Sequence, residues 1–274
     1  MTVIGVFTTP SLLPGDYRMH IITIECLYDN YSYLILTEDG KAAVVDPSEA
    51  WPVIKTLSER NLSLRAIWCT HHHHDHIGGI ADLLDEYGDV RVIGFAGARA
   101  AINALSEVYE DGQQFDWDGI AVAVMHLPGH TETGIAFSFA GHIFVGDTLF
   151  GAGCGRLFEG TPAQMDNSLQ RIAALDEQTN IYFGHEYTMV NLRFAGQVEP
   201  ANEAISHRLH EVAGLRDKGL LTTPTTVALE LRTNPFLRVD QPAVIAFAAH
   251  RLGRQPRDRV EVFGAIREAR NSFS

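Results

Sequence analysis

Cysteine is scarce and cationic residues are outnumbered. The chain has three cysteines, and its 21 lysines and arginines face 34 aspartates and glutamates, for a formal charge of −13. Cys26, Cys69 and Cys154 form no CxxC pair. They make neither a disulfide framework nor a zinc-ribbon pattern, and each reads as a small packing residue in a reducing compartment. The acidic balance argues against a nucleic-acid partner, which would need a basic face. It still allows a local basic pocket for a small anion. No apolar run reaches membrane-spanning length without a charge, a Gly–Pro break or a polar cluster. Residues 1–14 lack a basic leader and a cleavage site. The expectation is a cytoplasmic monomer with no membrane partner, acting on a small molecule.

What is present is ordinary in bulk and unusual in one place. An apolar fraction of 46% and a charged fraction of 20% suit a soluble globular chain. Its 274 residues suit one large α/β domain with a smaller partner. The unusual stretch is Thr70-His71-His72-His73-His74-Asp75-His76-Ile77-Gly78-Gly79. The bulky apolar run Arg65–Cys69 before it predicts a buried strand. After it, Ile80, Leu83, Leu84 and Tyr87 recur at helical spacing. The histidines therefore sit on a loop at a strand's C-terminal end, where open α/β sheets place ligand sites. In extended chain, residues two apart share a side, so His71 and His73 can share one metal ion. Asp75 and His76 fall where the chain turns toward the helix and can face a second ion, while His72 and His74 point away. A purification tag sits at a terminus; this run is internal and punctuated by aspartate.

Other stretches build a frame around this loop. Strands are expected at 19–27, 33–36, 42–46, 90–94, 120–127 and 180–185, with a hairpin of 135–139 and 142–147 around Ala140-Gly141. Asp29-Asn30-Tyr31 reads as turn chemistry, and Asp46-Pro47 ends a strand, with Asp46 read first as the turn residue and second as a group that supports a metal ligand. Helices are expected at 51–60, 96–104 and 162–175, the last capped by Thr161. Beyond residue 187 the pattern is mainly helical, at 202–218, 242–251 and 260–270. The fold class is α/β (α+β): helices outside two packed sheets in a four-layer αββα sandwich, followed by a helical C-terminal domain. The expected division is 1–186 and 187–274.

Three further strands end in a donor preceded by glycine: Pro128-Gly129-His130-Thr131, Val145-Gly146-Asp147-Thr148 and Phe183-Gly184-His185-Glu186. Glycine permits the close backbone approach that a crowded metal site needs. Any one of these alone reads as a polar strand end; together, downstream of the histidine loop, they read as a metal centre.

The order THHHHDH, PGHT, GDT and GHEY resembles the metallo-β-lactamase superfamily. Gly146–Phe150, the stretch GCGRLFEGT at 153–161, GHEYT at 184–188, Asp29-Asn30-Tyr31 and Asn234-Pro235-Phe236-Leu237-Arg238 resemble, more narrowly, the glyoxalase II (hydroxyacylglutathione hydrolase) family. The resemblance covers nearly the whole chain. It implies two divalent metal ions, zinc first, with iron and manganese compatible with the same donors. His71, His73 and His130 would hold one ion, Asp75, His76 and His185 the other, and Asp147 both. It implies hydrolysis of S-D-lactoylglutathione to glutathione and D-lactate by a metal-bridging hydroxide, the second step of methylglyoxal detoxification. Asp75 would orient the water or accept its proton, besides ligating. The glutathione carboxylates would meet Arg156, Tyr187, Arg267 and Arg270, the last two spaced to share one helical face, with Phe158 also in the substrate site. Arg156 and Phe158 stand where some members have lysine and tyrosine, and Ile135 where many have histidine. The rival readings are a lactonase or β-lactam hydrolase, a mononuclear iron persulfide dioxygenase, and a non-catalytic metal protein with a closed ligand set.

Overall fold

A computed structural model describes residues 20–273. The strand expected from Met19 starts at His20; Met19 and the stretch 1–14 lie outside the described residues. The first sheet takes its strands in chain order. They are β1 (His20–Cys26), β2 (Asn30–Leu36), β3 (Lys41–Val45), β4 (Ser63–Trp68), β5 (Arg91–Phe95) and β6 (Glu107–Tyr109). β1 to β3 run antiparallel and β3 to β6 parallel. The parallel half needs crossovers, supplied by α1 (Ala50–Glu59) and by α2 (His74–Ile77) with α3 (Ile80–Tyr87). Alternation sorts the faces: Tyr31, Tyr33 and Ile35 join the central core. Leu34 and Leu36 pack outward with Val53 and Leu57 of α1 and Ile80 and Leu83 of α3.

The chain then forms β7 (Gln114–Trp117), β8 (Ile120–His126), β9 (Ile135–Phe139), β10 (His142–Gly146), the two-residue strands β11 (Leu149–Phe150) and β12 (Gly153–Cys154), α4 (Pro162–Ala173) and β13 (Asn180–Phe183). The second sheet has the order β14-β13-β10-β9-β8-β7, where β14 is Thr225–Thr226. Between the sheets Trp68 is fully buried, edge-on to Phe115, Trp117 and Phe139 at 5.2, 5.8 and 5.9 Å. Edge-to-face packing suits the ring quadrupoles. Thr161 opens α4 with a reciprocal capping box to Gln164, and Met165, Leu169 and Ile172 bury its inner face in the central core. The result is the four-layer sandwich.

The remaining helices are α5 (Thr188–Val198), α6 (Glu203–Arg216), α7 (Val227–Thr233), α8 (Pro242–Leu252) and α9 (Arg259–Asn271). Phe194, Phe236, Val244, Phe263 and Ile266 extend the central core into them. This region also lends β14 to the second sheet, antiparallel to β13. No helix among the described residues is long and apolar enough to cross a membrane.

Some elements differ from expectation. The helix expected at 96–104 is a single 3₁₀ turn, Ala96–Ala98. Its alanines favour helix locally, but Ala98, Ile102 and Leu105 are buried and Ser106 must reach Val92 to launch β6. Tertiary packing overrides propensity there. The short edge strands β6 and β7 and the helices α5 and α7 were not anticipated.

Candidate metal centre

All seven donor residues lie just past the C-terminal ends of strands, at one end of the sandwich. The loop after β4 brings His71 and His73 from the first sheet, and α2, which follows it, brings Asp75 and His76. The loops after β8, β10 and β13 bring His130, Asp147 and His185 from the second. Donor atoms of His71, His73 and His130 lie within 4.8 Å of one another, as do those of Asp75, His76 and His185. Asp147 stands between the two groups. Its Oδ2 is 3.4 Å from His130 Nε2 and 3.3 Å from His185 Nε2, and its Oδ1 is 3.3 Å from His76 Nε2. Asp75 Oδ2 is 3.4 Å from His185 Nε2.

The residues fit divalent cations. His71 Nε2 and Asp147 Oδ1 are buried with no hydrogen-bond partner among the described residues. A buried donor or acceptor left so is costly, and a cation satisfies both kinds of atom. His76 Nε2 faces His185 Nε2 at 3.2 Å, and His73 Nδ1 faces His130 Nε2 at 2.9 Å. Imidazole nitrogens with carboxylate oxygens suit first-row divalent ions.

The far nitrogens explain why the near ones converge. His185 Nδ1–H donates to Asp29 Oδ1 at 2.9 Å, and His130 Nδ1–H to the Arg156 carbonyl at 2.8 Å. His76 Nδ1–H donates to Asp46 Oδ2 at 3.0 Å. His71 Nδ1–H donates to Thr70 Oγ1 at 3.0 Å, whose hydroxyl passes the bond to Asp46 at 2.6 Å. These partners assign the tautomers and aim each Nε2 inward. Asp46 thus fills both of the places open to it, turn residue and support for the metal ligands. It does turn the chain, with φ of 47°, but its carboxylate also accepts from the Thr70 amide and organises two imidazoles. Asp29 and Asn30 are likewise not only turn chemistry, since Asn30 Nδ2 donates to Asp75 Oδ2 at 3.2 Å and to its carbonyl.

Electrostatics divides the donors. Burial pushes His71 well below the ordinary imidazole pKa and lowers His73 and His130, so these three are neutral and ready to donate. Burial would lower His76 too, but Asp147 and Asp46 outweigh it and push it up to about 10. His185 is raised for the same reason, by Asp147, Asp29 and Asp75. Burial alone would raise Asp147; His76 and His185 overcome it and hold the carboxyl well below its usual range. Cations would replace those protons as the counter-charge to Asp147. Glycine makes the crowding possible: a Cβ on Gly184 would lie 2.3 Å from Asp147 Oδ1, and one on Gly146, at φ of 50°, 2.2 Å from Thr70 Oγ1.

Around the mouth, the Phe158 ring stands edge-on to His73 and His130, centroids 5.6 and 5.4 Å away, yet is 60% exposed. The Arg156 guanidinium lies 5.7 Å over that ring. Tyr187 stacks on His185 at 4.9 Å. Arg270 is half-buried, its Nε bonded to Asn191 Oδ1, and burial with nearby Arg267 and Arg156 lowers its pKa. Three arginines thus meet in one corner of an acidic chain. Arg267 itself is buried: its Nη1 donates to the Cys154 carbonyl at 2.5 Å, its Nη2 to Asn271, and it lies over Phe236. The shared helical face is real, but only Arg270 of the pair reaches the open side.

Residues 28–185 match the family model of the metallo-beta-lactamase superfamily, and residues 186–273 match that of the hydroxyacylglutathione hydrolase C-terminus. A hydroxyacylglutathione hydrolase of Methylobacillus flagellatus is 47% identical over 92% of this chain and 99% of its own length. The chain belongs to the hydroxyacylglutathione hydrolase family. Among solved structures, ETHE1 from Myxococcus xanthus has a TM-score of 0.62 at 23% identity, covering 94% of this chain and all of that one. TTHA1623, solved in a di-iron-bound form, has a TM-score of 0.55 at 27% identity and covers 80% of this chain and all of that one.

The structure also shows what the family-like stretches do. In the 234–238 stretch, the side-chain amide of Asn234 donates to the Gly153 carbonyl at 2.9 Å, and Arg238 makes a two-pronged pair with Glu199. The first contact braces the β12 turn that leads on to Gly155 beside Asp147; the second ties the end of α5 to the stretch after α7. In GHEYT, Glu186 accepts from Tyr31, Thr222 and Arg216, tying β2 to the helical region beside His185. The signal that favours the supporting role of Asp46 over the plain turn is its place: an aspartate ending the strand adjacent to the one that launches the histidine loop.

Proposed function

We propose that this chain hydrolyses S-D-lactoylglutathione and related 2-hydroxyacyl thioesters of glutathione, giving glutathione and D-lactate or the corresponding acid. This is the second step of methylglyoxal detoxification. The carrying observation is the match of residues 186–273 to the hydroxyacylglutathione hydrolase C-terminus. A lactonase or β-lactam hydrolase of the same superfamily would share the centre but has no call for that region. We further propose a division of the chain at 186/187, a cytoplasmic location and a monomeric state.

His71, His73 and His130 would hold one divalent ion, Asp75, His76 and His185 a second, and Asp147 both. Zinc is the proposed metal, with iron and manganese compatible with the same donors. When bound, such ions supply Lewis acidity, acidifying water and polarising a thioester carbonyl. The chain's own part is positional and acid–base. Asp75 is held well below the usual carboxylate range by its bond to His185, against burial, with further help from His76 and Asn30. It is therefore ionised, partly open to solvent, and placed to orient the attacking water; proton acceptance would fall to it only as the cation-bound water is acidified. The thiolate is a good leaving group, so no serine or cysteine nucleophile is required. Burial raises Cys26, Cys69 and Cys154 above the ordinary thiol pKa, as expected of inert packing residues.

Glutathione carries two carboxylates, and Arg156, Arg270 and Tyr187 offer charge-assisted donors at the mouth. Phe158 offers an apolar face beside them. Arg267 supports the site from beneath, through the Cys154 carbonyl. The test is loss of thioester absorbance from S-D-lactoylglutathione with metal-loaded protein and with Asp147→Ala. The expected result is turnover by the wild type and none by the variant. A metal-replete wild type that leaves the thioester intact would overturn the substrate assignment.

A further inference from the structure

Residues 156–160 cross the open side of the centre, carrying Arg156 and Phe158. Two backbone bonds hold this loop: Phe158 N–H to the His130 carbonyl at 3.3 Å and Gly160 N–H to the Gly129 carbonyl at 3.2 Å. Side-chain ties come from His130, whose Nδ1–H donates to the Arg156 carbonyl at 2.8 Å, and from Glu159. Its Oε2 accepts from the Glu132 amide at 2.7 Å, and its Oε1 lies 3.2 Å from His72 Nε2. The other ring nitrogen of His72 is 3.4 Å from Thr133 Oγ1. One ring nitrogen of His72 thus faces the Glu159 carboxylate and the other the threonine hydroxyl, so the imidazole is held between two polar partners. Glu159 therefore joins three segments: the histidine loop, the turn after His130, and the loop of Arg156 and Phe158. Neither Glu159 nor His72 belongs to the seven donors. Phe158 needs such a tie, because it is 60% exposed and its ring contacts are with His73 and His130. Little burial holds it in place, so its position follows the loop's.

We infer that Glu159 is a positioning residue, latching with His72 so that Phe158 and Arg156 stand fixed beside the centre and set how tightly the glutathione part of the substrate is held. The inference rests on the hydrolase reading above and adds a determinant of affinity to it. His72, which the alternation of the loop turns away from the metal pair, thereby has a use.

The test compares metal-loaded wild type, Glu159→Ala and Glu159→Gln by two readouts. One is steady-state kinetics on S-D-lactoylglutathione with bound metal quantified; the other is hydrogen exchange at the Phe158 and Gly160 amides. In the alanine variant KM should rise about fivefold and both amides exchange about fivefold faster, the scale of one partly exposed hydrogen bond. Its kcat and metal content should stay at wild-type values. The glutamine variant should fall between, since its carbonyl still accepts from the Glu132 amide. An unchanged KM overturns the inference. A joint fall of kcat and bound metal also overturns it, because Glu159 would then prop the centre itself. If the wild type does not hydrolyse the thioester, the hydrolase reading falls by itself, and amide exchange alone decides the latch: unchanged exchange in the alanine variant overturns it.

Discussion

Asp46 presents nothing to the interior of the centre, yet two imidazoles depend on it, His76 directly and His71 through Thr70. Asp46→Asn keeps the shape and removes the charge and one acceptor. Losing such an outer partner should weaken metal binding about 10- to 100-fold with the fold intact. Competition with a chromogenic chelator measures it, and unchanged affinity would reduce Asp46 to the turn residue it first resembles. Gly184→Ala makes a steric counterpart. Its methyl would meet Asp147 Oδ1 at 2.3 Å and His76 Cε1 at 2.6 Å, so bound metal should drop while circular dichroism stays native. Residues of this kind mark where sequence reading stops. His71, His73, Asp75 and His76 announce themselves by spacing on one loop. Asp46 and Asp29 are ordinary turn aspartates until folding sets them against imidazoles 30 and 156 positions away.

At the scale of elements, the helical region is fastened to the sandwich by a buried polar knot on α7. Glu230 is fully buried and every part of its carboxylate is engaged. Oε1 accepts from Arg208 at 2.6 Å and Thr225 at 2.7 Å, and Oε2 from the Ala152 amide and Asn234, both at 2.9 Å. Breaking the pair strands Arg208, itself only 4% exposed, without its counter-charge. Glu230→Ala should therefore cost about 3–5 kcal/mol of stability, read by urea denaturation. An apolar pair at both positions, such as Arg208→Met with Glu230→Leu, should recover much of it, since such pairs are kept at a desolvation cost. A loss below about 1 kcal/mol would mean that the knot is solvated. The same helix shows why some elements were illegible. α7 has seven residues and buries a glutamate and a threonine, so its inward face carries no apolar stripe. α5 buries Phe194 and Val198 in the central core and Leu192 and Ala195 in a separate cluster, so its apolar positions form no single stripe. Where the inward face is apolar, as in α3 with Ile80 and Leu83 and α4 with Met165, Leu169 and Ile172, periodicity reveals the helix. At 96–104 alanine-rich chain reads as helix and packing dictates turns instead.

For the molecule as a whole, the centre is a clasp between the two sheets. Four donors hang from the first sheet and three from the second, and beyond them the sheets meet through the apolar core and through Tyr31 and Asn30, which bridge to Gly184 and His185. Cations that bind this arrangement have no equivalent site in the unfolded chain, so they stabilise the native state by mass action. At a free concentration near one hundred times Kd, each site adds about 2.7 kcal/mol. For a chain of this size, stripping one site should lower Tm by roughly 5 to 10 °C. Two sites would give a two-step loss as a chelator is raised, with activity disappearing at one step and part of the stability surviving to the other. Direction with pH follows from the protons that His76 and His185 hold when no cation is present. Metal binding releases them, so the protein's own affinity for metal, corrected for protonation of the chelator, should fall as pH falls and rise as it rises. Differential scanning calorimetry with metal analysis at each chelator concentration checks both points. A Tm indifferent to stripping would mean that the apolar core alone holds the sheets in register, and that the seven donors converge without any cation's help.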